Sequence, residues 1–293
     1  MALKAIKPTQ ASPGKPVILV YGPPGVGKTW AAMDFPAPYY IDSEGGANLP
    51  EYSTRLNKAC GMYFGPDQGA ADADSVLNEV KSLAQDDHQF KTVVIDSYSK
   101  IFQNIIASEL EKMAAKKEGV DLNRTFGAEK RAAIQWTRRL IYWIGQAGMN
   151  AILICHQKAL WKNGEEVGTT YDGWDKLEYE LHLALQITRQ GPNRMARVGK
   201  SRFAQFKEAD MFQWCYDEFA NRYGRGVIEA FGTKSKRPTE EQVAEYRRLL
   251  ETVKLTEKTA DKWSEIPVED LDADAISARI KYIATKVAKG EQP

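Results

Sequence analysis

Little in this 293-residue chain points to metal or redox chemistry, because it carries only 3 cysteines and 3 histidines. Cys60, Cys155 and Cys215 are odd in number and far apart, with neither zinc-ligand spacing nor a disulfide framework. A reducing, cytoplasmic setting is therefore expected. No apolar run approaches the roughly 20 residues of a membrane helix, and residues 1–16 lack the apolar stretch of a secretory signal; no membrane partner is expected. Charge is balanced at a formal +1, so any affinity for nucleic acid has to come from local clusters. Internal repeats are also missing. What remains is ordinary globular composition, 43% hydrophobic and 27% charged, at a length that suits one α/β domain with a small appendage.

One stretch organises the chain. The apolar run Val17-Ile18-Leu19-Val20-Tyr21 leads into Gly22-Pro23-Pro24-Gly25-Val26-Gly27-Lys28-Thr29, and Trp30-Ala31-Ala32-Met33 follows as a helix. Strand, glycine loop and helix stand in the order of a Walker A phosphate loop, and the GxxxxGK[ST] spacing is complete. Glycines let backbone N–H groups wrap an anion without a Cβ in the way. Lys28 adds a point charge for the β/γ-phosphates, and Thr29 offers a hydroxyl to Mg²⁺. Residues 22–29 with Trp30 are thus the expected binding residues for ATP.

Further apolar runs at residues 39–42, 92–96 and 150–155, alternating with helical patterns at 74–83, 99–115 and 128–146, predict an open, mostly parallel sheet with helices on both faces. Residues 61–64 read as a short strand. After residue 157, Asn163-Gly164 and Gly191-Pro192-Asn193 mark two hairpins, and residues 227–230 read as a closing strand. The expected organisation is a flexible lead-in over 1–16, a core over 17–232, a linker over 233–238 and a small helical module over 239–293. In that module Thr239-Glu240-Glu241-Gln242 opens a helix bearing Val243, Tyr246, Leu249, Leu250 and Val253 on one face. A last helix over 273–286 carries Ile276, Ile280, Ile283 and Val287.

Asp96 ends a buried strand, where a Walker B acid supports Mg²⁺; taken alone it could equally cap the next helix. The next residue is Ser97, so the glutamate that many AAA+ ATPases place there is absent. Glu44, just past the strand at 39–42, is the substitute expected to activate water, since ligands bind beyond the carboxyl ends of such strands. Asp42 is its rival, and an exposed loop carboxylate is the plain alternative.

On these residues the chain resembles RecA recombinases. The similar segments are Tyr40-Ile41-Asp42-Ser43-Glu44 with Leu49-Pro50-Glu51-Tyr52, residues 92–97 (TVVIDS), Ile152 to Gln157, and the hairpin over 183–202, within roughly 15–232. The short core, hairpins and helical tail look most like phage-encoded RecA-like ATPases linked to single-strand annealing and recombination. The resemblance implies that Gln157 senses the γ-phosphate, that Tyr52 stacks on adenine, and that Lys200 and Arg202 reach a neighbouring subunit's nucleotide. It also implies a homo-oligomer, ring or filament, acting on single-stranded DNA. Departures are a stretch from Glu44 to Tyr52 one residue longer than in RecA, a histidine before Gln157, and no counterpart of RecA's N-terminal oligomerisation helix.

Without the resemblance, Gln157 reads equally as a backbone partner, Tyr52 as packing, and Lys200 and Arg202 as a solvated strand edge. DNA contacts are expected from residues 112–131, with Lys116, Lys117, Arg124 and Phe126. A second segment, 158–176, interleaves Trp161, Tyr171 and Trp174 with Lys158, Lys162 and Lys176. On composition, the C-terminal module is a candidate site for a single-strand DNA-binding protein. The main alternative is an AAA+ remodelling ATPase or helicase loader with residues 239–289 as a helical lid. A small-molecule kinase lacks an identifiable arginine-rich lid, and a nucleotide-gated binding protein would barely hydrolyse ATP.

Overall fold

The computed structural model describes residues 14–116, 127–232, 238–264 and 266–293. Its elements run β1 (Val17–Tyr21), α1 (Lys28–Ala32), β2 (Pro38–Asp42), α2 (Pro50–Lys58), β3 (Met62–Phe64), α3 (Ala73–Gln85), β4 (Thr92–Asp96), α4 (Tyr98–Lys116), α5 (Arg131–Ala147) and β5 (Asn150–Cys155). Then follow β6 (Gln157–Lys162), β7 (Glu165–Tyr171), α6 (Leu177–Glu180), β8 (Leu183–Gln190), β9 (Asn193–Ser201), β10 (Met211–Gln213), α7 (Tyr216–Tyr223) and α8 (Arg225–Glu229). The chain closes with α9 (Glu240–Thr252), α10 (Glu257–Ser264) and α11 (Ala273–Ala288).

One eight-stranded sheet has the order β10-β9-β8-β1-β5-β4-β2-β3. The six strands from β8 to β3 are parallel, and β9 and β10 add antiparallel at one edge. This is the expected α/β class. β1 alternates Val17, Leu19 and Tyr21 into the layer of α3, α4 and α5, and Ile18 and Val20 into the layer of α1, α2, α7 and α8. Burial on both faces explains why this strand is apolar throughout. The carboxyl ends of β1, β2, β4 and β5 therefore meet along one rim. β6 and β7 form a separate two-stranded hairpin that leaves this rim directly after β5.

Several expectations change. Residues 227–230 do not close the core as a strand; Val227 and Ile228 belong to α8, with Ile228 buried from the helix. Two β-branched residues are too short a run to separate a strand from a buried helical turn. Lys15 Nζ donates to the Val227 and Ile228 carbonyls at 2.6 and 3.1 Å, satisfying acceptors that the helix end leaves free. The lead-in is thus pinned before residue 16, and Pro16 C=O accepts from Ala151 N–H. Residues 1–13 and 233–237 lie outside the described residues.

The C-terminal module buries Tyr246, Leu271, Ile276 and Ile283 together, and Thr239 and Gln242 form a capping box at the expected helix opening. Ile276 and Ile283 of the last helix are buried, whereas Val287 is exposed. Asp270, almost fully buried just before α11, is clamped by Lys81 of α3 and Arg139 of α5. The module therefore leans on the sheet face opposite α1.

Candidate active site

The phosphate loop is shaped by its glycines. A Cβ on Gly22 would sit 2.3 Å from the Ile187 carbonyl oxygen of β8, so only glycine lets the loop leave β1 this close to its neighbour. Gly27 has φ of +86°, in the left-handed region, and a Cβ there would meet Arg194 Nε at 2.0 Å. Lys28 Nζ folds back onto the Gly22 and Pro23 carbonyls, 2.9 Å from each. Burial lowers the Lys28 pKa, and the charges of Asp96 and Glu44 oppose that shift. All three groups therefore share one electrostatic neighbourhood.

Thr29 Oγ1 donates to Asp96 Oδ2 at 2.6 Å, and the hydroxyl of fully buried Tyr40 donates to the same oxygen. Burial raises the Asp96 pKa, opposed by these two hydrogen bonds and reinforced by the charges of Asp42 and Glu44. A carboxylate whose charge is penalised and whose partners are hydroxyls is well suited to a cation. Among the described residues no cluster of three or more His, Cys, Asp or Glu side chains forms a metal cage. Mg²⁺ does not require one, because it keeps waters and substrate phosphates as ligands. The donor set Thr29–Asp96 fits it.

Asp42 proves structural. It is 2% exposed, and its carboxylate accepts from the N–H groups of Glu44, Gly45 and Ala47 at 3.1, 2.9 and 2.8 Å and from the Tyr63 hydroxyl at 3.0 Å. The loop after β2 is thereby wound around Asp42, which leaves Glu44 at the rim. Glu44 Oε1 accepts from Ser97 Oγ at 2.9 Å and lies 2.7 Å from His156 Nε2. The strand ends beneath are joined by Ser43 N–H to Asp96 C=O at 2.7 Å and by Ser97 N–H to Ser43 Oγ at 3.0 Å.

Gln157 opens β6 opposite Tyr171, and its Oε1 is buried without a hydrogen-bond partner among the described residues. Tyr52 packs edge-on against Trp30 with ring centroids 5.6 Å apart. Trp30 in turn lies under Arg55, 4.0 Å from its ring centre, and near Arg194 at 5.9 Å. Lys200 and Arg202 are not at this rim. Ser201 pairs with Leu183, which pairs with Ile18 near the start of β1. They stand about four strand residues, roughly 13 Å, from the loop end. Lys200 Nζ donates to Leu181 C=O and Arg202 to Tyr179 C=O. Arg202 also lies one residue beyond β9, not on it.

Sequence reasoning missed Tyr40, Arg194, Ser97 and His156. Of these, Arg194 carried a signal as a basic residue at the tip of a predicted hairpin, and His156 as a departure from the RecA pattern whose partner the sequence does not give. The aromatic residues of 158–176 divide. Trp161 is 64% exposed on β6, whereas Tyr171 and Trp174 are 4% and 9% exposed. The Tyr171 hydroxyl donates to the Trp174 and Asp175 carbonyls, so these two rings pack and do not present a stacking surface. Lys158 faces Asp172 and Asp175 at 3.5 and 3.7 Å. Half of the other candidate DNA segment, including Lys117, Arg124 and Phe126, lies outside the described residues, as does the side chain of Lys116. No described helix is long and apolar enough to cross a membrane.

Residues 14–213 match the family described as "AAA domain". No curated protein matches the chain. Among solved structures it is similar to the RadB recombinase, with 18% identity over 68% of this chain and 87% of that one and a TM-score of 0.44. It is also similar to a KaiC-like protein from the archaeon Pyrococcus horikoshii OT3, with 15% identity over 69% and 85% of the two chains and a TM-score of 0.41. Likeness at this level does not define a function.

Proposed function

The chain belongs to the AAA-domain family of ATPases, and from that premise we propose that it is an oligomeric RecA-like protein that hydrolyses ATP with Mg²⁺ and acts on single-stranded DNA in annealing or recombination. The observation that carries the reading is the meeting of Lys28, Thr29, Asp96 and Glu44 at one rim of the sheet.

In this reading the loop from Gly22 to Thr29 holds the phosphates, with Lys28 exchanging its two loop carbonyls for phosphate oxygens. Thr29 and Asp96 would hold Mg²⁺, which when bound would supply neutralisation of the phosphate charge. Glu44, with Oε1 already engaged by two neighbours, presents its second oxygen to orient and deprotonate a water. Gln157, whose side-chain amide N–H can donate to a phosphate oxygen, reports phosphate occupancy to the hairpin it begins. Trp30 and Tyr52 form an aromatic wall near the base. Lys200 and Arg202 serve only a neighbouring protomer's nucleotide, after release from the carbonyls of Leu181 and Tyr179. Trp161 with Lys158 and Lys162 is the surface for unpaired bases.

A second reading, an AAA+ remodelling ATPase or helicase loader, is favoured by the family's description. Two observations favour the first. The carboxylate near the phosphate loop follows β2 and not Asp96, and the C-terminal helices are clamped through Asp270 to the face opposite α1, away from a lid's place. Turnover of ATP by the full chain, with and without a single-stranded oligonucleotide at low salt, tests the proposal. Stimulation by the oligonucleotide is expected. Equal turnover together with no oligonucleotide binding would overturn it.

A further inference from the structure

The histidine before Gln157 is a departure from the RecA pattern, and its geometry gives it a task. Three strand ends converge on Glu44: its own loop after β2, Ser97 after β4 and His156 after β5. Both donors address one oxygen, Ser97 Oγ at 2.9 Å and His156 Nε2 at 2.7 Å from Oε1, and so leave Oε2 to face a water. A glutamate on a loop has three free torsions, and a group that activates water has to be held to within about 0.5 Å of its working position. Asp42 holds the backbone of this loop; among the described residues, Ser97 and His156 hold the side chain.

His156 is itself anchored. Its N–H donates to Ser99 Oγ at 2.9 Å, and its carbonyl accepts from Asp172 N–H at 2.8 Å. Ser99 Oγ donates to the Asp172 carbonyl. Asp172 directly follows β7 and Gln157 begins β6, so His156 sits at the root of the hairpin with its ring on Glu44. Because the acceptor is a carboxylate, Nε2 carries the proton.

We propose that His156 is a positioning residue for Glu44. It fixes the carboxylate's rotamer through Nε2–H and ties that rotamer to the root of the β6–β7 hairpin. This rests on the reading of Glu44 as the group that activates water.

The test is steady-state ATP turnover by the full chain for three single variants and one double variant, with ATP binding and melting temperature measured for each. His156→Ala is expected to lower kcat by about 10- to 100-fold with KM for ATP within about twofold. His156→Gln, whose amide N–H reaches the place of Nε2–H, is expected to restore most of that loss. Adding His156→Ala to Glu44→Gln is expected to cost nothing further. Wild-type turnover by His156→Ala, or equal impairment of the Ala and Gln variants with lowered melting temperatures, would overturn the inference. Glu44→Gln serves as the control that separates the two readings. If it abolishes hydrolysis while His156→Ala does not, only the positioning role fails; if it hydrolyses normally, the assignment of Glu44 fails first.

Discussion

Thr29 and Asp96 are 67 positions apart in sequence, yet Thr29 Oγ1 donates to Asp96 Oδ2 at 2.6 Å. The contact joins the phosphate loop after β1 to the end of β4, two strands away across β5. Most of the functional reading depends on this junction, because it makes the loop's hydroxyl and the buried acid one cation-binding pair.

Asp96 is expected to show opposed effects on stability and function. Its pKa is raised mainly by burial, so in the nucleotide-free protein its charge costs stability at neutral pH. The Asp96→Asn variant should melt higher by a few degrees, at about 2–4 °C per kcal/mol, and lose Mg²⁺-dependent tightening of ATP binding. Calorimetric scans and nucleotide titrations with and without Mg²⁺ check both outcomes.

The Tyr40 hydroxyl donates to the same oxygen of Asp96. Tyr40→Phe removes only that donor from a fully buried site, which should cost about 1.5–3 kcal/mol for a hydrogen bond to a charged group. The loss should shrink in the Asp96→Asn background, as a double-mutant cycle by denaturant unfolding would read.

Lys28 predicts a pH dependence. Burial lowers its pKa from the ordinary value of 10.5. Its contribution therefore favours folding above that ordinary value and is lost as pH falls through the folded one. Phosphate restores the charged form. ATP binding should take up protons at alkaline pH and weaken as pH climbs past the free protein's Lys28 pKa. Isothermal titration in buffers of different ionisation enthalpy measures the uptake.

The aromatic residues of the hairpin region should separate cleanly. Trp161→Ala should leave stability within about 0.5 kcal/mol while weakening single-strand binding by about 1–3 kcal/mol. Trp174→Ala should destabilise by about 3–5 kcal/mol, as a large buried ring does. Thermal melts with oligonucleotide binding distinguish the two.

The phosphate loop was legible because its motif lies between an apolar run and a helix, so local pattern and chemistry agree. The parallel core was legible for the same reason, since buried strands such as 92–96 are apolar on both faces. Tyr40 was not, because alternation reports burial but not what a buried hydroxyl meets. Arg194 reaches Gly27 from 167 positions downstream, and no local pattern carries that distance. Tyr171 and Trp174 look like stacking residues because polar neighbours surround them in sequence, whereas the fold turns their rings into the core layer of α3, α4 and α5. The alternation of Lys200 and Arg202 implies one strand face, but β9 ends between them.

The account stands most directly on Glu44, and single-turnover hydrolysis by the Glu44→Gln variant tests it. The expected result is wild-type affinity for ATP with hydrolysis reduced by about 10²–10⁴-fold, the usual contribution of a general base. Hydrolysis at the wild-type rate with ATP bound would contradict it.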